Sequence, residues 1–155
     1  MLWPLLLFVC CGGVAVKGTV LERSAMSSLT IVSVPWDIQT RTALTESTIR
    51  EISAATTMTL VDPGELREYR TLLEAATTPL ADKALADGAI RVLVVGRHSD
   101  GTSTRLSIAE SCQVMWKEGR PQSFDRSLFR WLVKKLPAQQ QHVLADYPVC
   151  REAAR

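Results

Sequence analysis

Residues 81–118 read ADKALADGAIRVLVVGRHSDGTSTRLSIAESCQVMWKE, and this stretch decides the fold. Gly88 predicts the end of a short helix, because glycine readily adopts the left-handed conformation in which helices stop. A wholly apolar strand is predicted over 89–96, and the turn residues at 98–101 predict a tight reversal after it. An alternating strand and a third strand over 113–117 complete the unit. The stretch therefore predicts a three-stranded meander preceded by a helix.

The flanking segments add the other elements. The pattern predicts a strand over 28–36, a helix over 43–54, a short strand over 58–61, a helix that begins at the N-cap Asp62, and a final helix over 124–136. The resulting order is β-α-β-α-α-β-β-β-α. It predicts a single α/β (α+β) domain with a mixed sheet in a three-layer-like arrangement.

Domain boundaries follow from this order. The folded domain is predicted to span 28–137, with a leader over 17–27 before it and a polar, mostly irregular tail over 138–155 after it. The chain of 155 residues, with 46% hydrophobic and 22% charged residues, has ordinary globular composition. The net charge of +2 is small and dispersed, which argues against nucleic acid as a partner.

The N-terminus indicates export. The apolar run LWPLLLFV at 2–9 is shorter than the roughly 20 residues that a bilayer span needs. A signal-peptide segment over 1–16 fits this pattern, and the small residues Gly13 and Ala15 favour a cleavage site after Ala15 within it. The alternative is a buried N-terminal strand or helix of a cytosolic domain. Membrane association is expected only if Cys10 or Cys11 is lipidated, and neither follows the small residue that lipidation prefers.

Two cysteines would remain after such a cleavage. Cys112 and Cys150 could form one disulfide in an oxidising compartment, closing a loop for which chain entropy contributes roughly 3 to 4 kcal/mol. The alternative is one buried and one exposed free thiol. The sequence alone leaves both open.

The segment around His98 is the most tempting catalytic candidate, because His98, Ser99 and Asp100 are consecutive. A working triad needs these groups to converge from separate elements, so we interpret the cluster as a turn. Cys112 paired with His98 or His142 is the other candidate nucleophile, but no nucleophile motif flanks it. These residues are also too scattered for a zinc site. We therefore predict no catalytic residue and no metal site.

An interface is predicted on the final helix. Trp131 falls outside the apolar stripe that we expect to face inward, and it lies beside Arg130, Lys134 and Lys135. An exposed tryptophan among cations is typical of a protein–protein contact.

Several local sequences resemble the N-terminal domain of the periplasmic protein TolB and its CsgG- and LpoB-type relatives. The motifs that carry this resemblance lie within 28–136 and are IVSVPWD, Leu44-Thr45-Glu46, LVDPGEL, ALADGAIRVLVVGR and QVMWKE. The resemblance implies a small α/β domain of the bacterial envelope that acts through protein–protein contacts and binds no cofactor.

These observations favour a non-enzymatic, exported interaction or adaptor module whose partner is another envelope protein. One alternative is a periplasmic immunity-type inhibitor of a secreted toxin. The alternative from a different class is a small cysteine-dependent hydrolase that uses Cys112.

Overall fold

The computed structural model describes residues 24–76, 78, 80 and 88–155, which form an α+β fold. The strands are β1 (Met26–Ser33), β2 (Thr56–Leu60), β3 (Ile90–His98), β4 (Ser103–Ala109), β5 (Val114–Lys117) and β6 (Arg120–Ser123). The helices are α1 (Pro63–Ala75), α2 (Arg126–Val133), α3 (Ala138–Leu144) and α4 (Pro148–Ala154), and one 3-10 turn spans Ile49–Glu51. The signal peptide, most of the leader and the helix predicted to end at Gly88 lie outside the described residues.

The strands form one six-stranded sheet in the order β2-β1-β3-β4-β5-β6. The predicted mixed sheet is wrong, because all five pairings of neighbouring strands are antiparallel. The strand–helix–strand signal behind that prediction is still present. β2 and β3 both pair with β1 and so run in the same direction on either side of it, while α1 packs over β1. The two parallel strands are therefore never neighbours.

The central strands are apolar because both faces of the sheet are covered. The helices cover one face and enclose the larger core, in which β1, β3 and β4 contribute Leu29, Ile31, Val92, Val94, Leu106 and Ile108. On the opposite face, residues 34–55 cover a second, smaller cluster that includes Val32, Leu93, Leu44 and Ile49. The sheet thus has a helical side and a side covered by irregular chain.

The helix predicted over 43–54 is wrong. Thr45 and Thr48 exchange hydrogen bonds between their backbone N–H groups and side-chain oxygens, so a helix does start there. It ends after the single turn Ile49–Glu51, because the segment is rich in β-branched residues and its apolar side chains must lie flat against the sheet.

The predicted N-cap of α1 is confirmed, and a second local turn follows β5. Asp62 caps α1 and accepts a hydrogen bond from the Glu65 N–H at 2.9 Å, with Pro63 at the first helical position. A two-residue turn at Glu118 and Gly119, both with positive φ, closes a hairpin. The sequence analysis does not extend this hairpin into β6.

The tail over 138–155, predicted to be irregular, instead forms α3 and α4. These helices exist because Leu144, Cys150 and Ala153 are buried in the larger core. The helix predicted over 124–136 is shorter than expected: α2 spans Arg126–Val133, with Asp125 as its N-cap.

A buried charge lies in β3, which the sequence analysis treats as wholly apolar. The Arg91 side chain is only 6% exposed, and its Nε and Nη2 donate to one carboxylate oxygen of Glu110 at 3.2 and 2.8 Å. Its Nη1 donates to the carbonyls of Pro35 and Ile38. One guanidinium therefore joins β3, the end of β4 and the segment that leaves β1.

We expect Arg91→Met to lower the free energy of unfolding by about 3 kcal/mol, because it leaves two partly buried carbonyls and the Glu110 carboxylate without their donor. Arg97→Met is the matched control: Arg97 is exposed on the same strand, so the change should stay within about 0.5 kcal/mol. Urea unfolding measures both values. Equal effects for the two variants would contradict a special role for Arg91.

Candidate functional site

The exposed face of α2 is the candidate site. Asp125 caps the helix by accepting from the Leu128 N–H at 2.8 Å, and Leu128, Phe129 and Leu132 are buried beneath it. This orientation leaves Arg126, Arg130 and Lys134 exposed at i, i+4 and i+8. We call these three residues the cationic stripe.

Two of the four residues predicted as an interface belong to this stripe, namely Arg130 and Lys134. Trp131 does not, and the prediction that it lies outside the inner face of the helix is wrong. It is 6% exposed and belongs to the larger core. The reason is that α2 packs against both α1 and α4, so its buried arc is wider than a single apolar stripe.

Lys135, the fourth residue predicted as an interface, contacts Trp131. The Trp131 ring lies 5.5 Å from the Tyr69 ring, and Lys135 Nζ lies 5.1 Å from the Trp131 ring centre. Lys135 additionally donates to Glu65 of α1. Burial, and secondarily the charge of Glu118, raise the pKa of the Tyr69 hydroxyl well above its ordinary value. Lys135 is therefore a bridge between α1 and α2 rather than a free surface cation.

The cationic stripe is held beside α4. Arg130 Nη1 donates to the Arg155 carbonyl at 3.0 Å, and Arg126 Nη2 lies 3.6 Å from a Glu152 carboxylate oxygen. Both members of the Arg126–Glu152 pair are largely exposed, so the pair contributes little to stability. The contacts orient the two arginines without removing them from solvent.

A disulfide fixes α4 in this position. Cys112 and Cys150 are bonded, with their Cα atoms 5.2 Å apart, which is one of the two alternatives that the sequence left open. Cys112 follows β4 in the left-handed region, at φ 52°, where a non-glycine residue needs support from its surroundings. Nearby, the Tyr147 hydroxyl donates to the Trp36 carbonyl at 2.7 Å, and the Trp36 indole donates to the Glu110 carbonyl at 3.1 Å.

The same disulfide bears on the hydrolase hypothesis. That hypothesis requires a thiolate at Cys112, whereas in the structure this sulfur is bonded to Cys150. His98, one of its candidate partners, instead contacts the Ser24 carbonyl through Nδ1 at 3.1 Å. Because a carbonyl oxygen only accepts, Nδ1 donates in this contact.

The His98 segment forms the predicted tight turn between β3 and β4. Gly101 has φ 84°, and the His98 N–H donates to the Thr102 carbonyl at 2.9 Å. Asp100 accepts from the hydroxyl and the N–H of Thr102, and these bonds, the hydroxyl first, lower the pKa of its carboxyl group. The interpretation of this cluster as turn chemistry is confirmed.

A cavity of about 370 Å³ lies beside this turn. Its lining mixes both charges with apolar groups: Met26, Arg70, Leu73, Glu74, Asp100 and Lys117 contribute, among others. Arg70 and Glu74 pair with each other at 3.0 Å. The cavity has room for a small molecule, but its opposed charges select no single chemical class. The sequence analysis does not detect it, because its residues come from α1 and four separate places along the sheet.

Comparisons of the chain with protein-family models, with curated proteins and with solved structures find no match. Within the described residues, no helix is long and apolar enough to cross a membrane.

Replacing both cysteines, Cys112→Ser with Cys150→Ser, should lower the free energy of unfolding by about 4 kcal/mol, as expected for a closed loop of this length. A reductant should destabilise the unmodified protein by a similar amount and leave the double variant unchanged. Urea unfolding with and without reductant measures this. If both cysteines of the unreduced, unfolded protein react with iodoacetamide, the disulfide does not form.

Proposed function

We propose that this protein is an exported, non-enzymatic interaction module that binds an anionic surface of another envelope protein through the cationic stripe of α2. The observation that carries the proposal is the arrangement of Arg126, Arg130 and Lys134, all exposed on one helix face.

The cationic stripe has opposed effects on its own helix: Arg130 and Lys134 lie at the C-terminal end, where the helix dipole favours a positive charge, but the spacing of the stripe and its first residue are unfavourable. Like charges at i and i+4 repel each other by a few tenths of a kcal/mol. Arg126 also lies at the N-terminal end of α2, where the helix dipole disfavours a positive charge. The exposed Glu152 offsets these costs only in part. An anionic partner would relieve them further on binding, and matched potentials would speed the encounter of the two proteins.

The platform beneath the stripe is suited to binding. α2 packs on α1 through the Lys135–Glu65 pair and on α4 through Arg130, while the disulfide anchors α4 to the turn after β4. A surface held in this way loses little conformational entropy when a partner docks.

Export is part of the proposal. It is supported by the apolar segment at 2–9 and, weakly, by the Cys112–Cys150 disulfide, which is typical of oxidising compartments. Membership of the TolB-like family and its three-layer-like arrangement are likewise proposed on the motifs quoted above, as are the absence of a cofactor and of nucleic-acid binding.

Reversing two charges of the stripe, Arg130→Glu with Lys134→Glu, should weaken binding to the partner about tenfold or more, and added salt should weaken binding of the unmodified protein. A photo-crosslinking amino acid in place of Ser127, exposed beside the stripe, identifies the partner in cells, and titration then measures affinity. The control pair Arg41→Glu with Arg97→Glu changes net charge equally at exposed sites elsewhere. Equal loss of affinity in both pairs would argue against the stripe.

Mass spectrometry of the protein isolated from an envelope fraction tests export separately. We expect the mature N-terminus at Val16, after cleavage behind Ala15. A lipid-modified Cys10 or Cys11 at the N-terminus would indicate a membrane anchor instead. Uncut protein confined to the cytosol would contradict export.

A further inference from the structure

The two edges of the sheet differ in how they are covered. At one edge, the Leu80 N–H donates to the Pro121 carbonyl and the Ser123 N–H donates to the Thr78 carbonyl, so that β6 is flanked by further chain. At the other edge, β2 pairs only with β1, and its outer backbone groups have no hydrogen-bond partner among the described residues. A free strand edge of this kind is a template for another strand.

β2 also lacks the usual protection of an edge strand. Natural edge strands carry lysine, proline, inward-pointing charges or bulges that prevent further pairing. The β2 sequence TTMTL contains no charge and no proline, and its register with β1 is continuous from Thr56 to Leu60. Apart from its short length of five residues, nothing within the strand opposes the addition of another strand.

Apolar side chains accompany this free edge. Met58 and Leu60 face the helical side of the sheet but are only partly buried, packing at the border of the larger core. Val61, directly after β2, is 67% exposed and is one of two large apolar side chains that are exposed within the described part of the chain. The edge therefore offers apolar surface as well as backbone hydrogen bonds.

We propose that β2 pairs antiparallel with β2 of a second copy of this chain, which joins the two sheets into one. The composition of β2 favours a second copy of the chain as the partner of this edge. The edge carries no charge, so two copies meet without repulsion across the two-fold axis. An isologous contact also requires a self-complementary side-chain pattern, and β2 provides one.

The side-chain pattern selects a register with Thr59 on the two-fold axis. In this register Met58 lies opposite Leu60 of the second copy, so that apolar side chains meet on the helical side. Thr59 faces its own counterpart, a favourable pair of hydroxyls across strands, and Thr57 covers Val61. With only five residues in the strand, the dimer should be reversible and concentration-dependent.

The first test measures mass in solution by analytical ultracentrifugation over roughly a hundredfold range of protein concentration. The full chain should shift from monomer to dimer. Thr59→Lys places two cations face to face on the axis and should raise the dissociation constant at least about tenfold. Thr71→Lys makes the same change on the exposed face of α1 and should leave dimerisation unaltered. A purely monomeric unmodified protein, or equal effects of the two lysines, would overturn the proposal.

The second test fixes the register by oxidative crosslinking in the full chain with Cys10→Ser and Cys11→Ser. Thr59→Cys should form a disulfide with its own counterpart, since directly opposed strand residues lie within disulfide reach. Thr71→Cys should not. Circular dichroism confirms that each variant is folded. A dimer that crosslinks no better through residue 59 than through residue 71 would show that β2 is not the contact.

Discussion

The buried guanidinium of Arg91 is the interaction on which the rest of the structure depends. A charge in the interior is costly unless it is paired and its hydrogen-bonding capacity is satisfied. Arg91 meets both conditions through the carboxylate of Glu110 and the carbonyls of Pro35 and Ile38. Because these groups come from different elements, the pairing is satisfied only when the elements are correctly placed. The buried Arg91 guanidinium thus favours the one arrangement of these elements in which its hydrogen bonds are satisfied.

A series of contacts connects Arg91 to the surface of α2. Glu110 pairs with Arg91 through its side chain, and its backbone carbonyl accepts a hydrogen bond from the Trp36 indole N–H. The Trp36 carbonyl in turn accepts a hydrogen bond from the Tyr147 hydroxyl. The helix α4 begins directly after Tyr147, and the Cys112–Cys150 disulfide anchors it. That helix, α4, orients the arginines of the cationic stripe through the contacts of Arg130 and Arg126. The proposed binding surface is therefore coupled to the core through identifiable contacts.

Local signals made part of this structure predictable. The meander, the cap at Asp62 and the turn at Gly101 depend on residues close together in sequence, and the sequence analysis finds them. The disulfide partners could be named because Cys112 and Cys150 are the two cysteines outside the predicted signal peptide. What could not be predicted depends on distant contacts. Arg91 is recognisable as a buried cation only once Glu110 is known to be beside it, and Trp131 is buried because α1 and α4 both pack on α2. The short turn at Ile49 reflects the sheet beneath it.

The bond between Tyr147 and Trp36 joins residues 111 positions apart. A ribosome delivers the chain from its N-terminus, so the part of the core around Trp36 stays incomplete until residues 147–150 have emerged. Contacts this distant in sequence are slow to form, because a long loop must close first. During that interval the chain is incompletely folded, which is the state that translocation through a narrow channel requires. For the export that we propose, this topology would provide a delay between synthesis and complete folding.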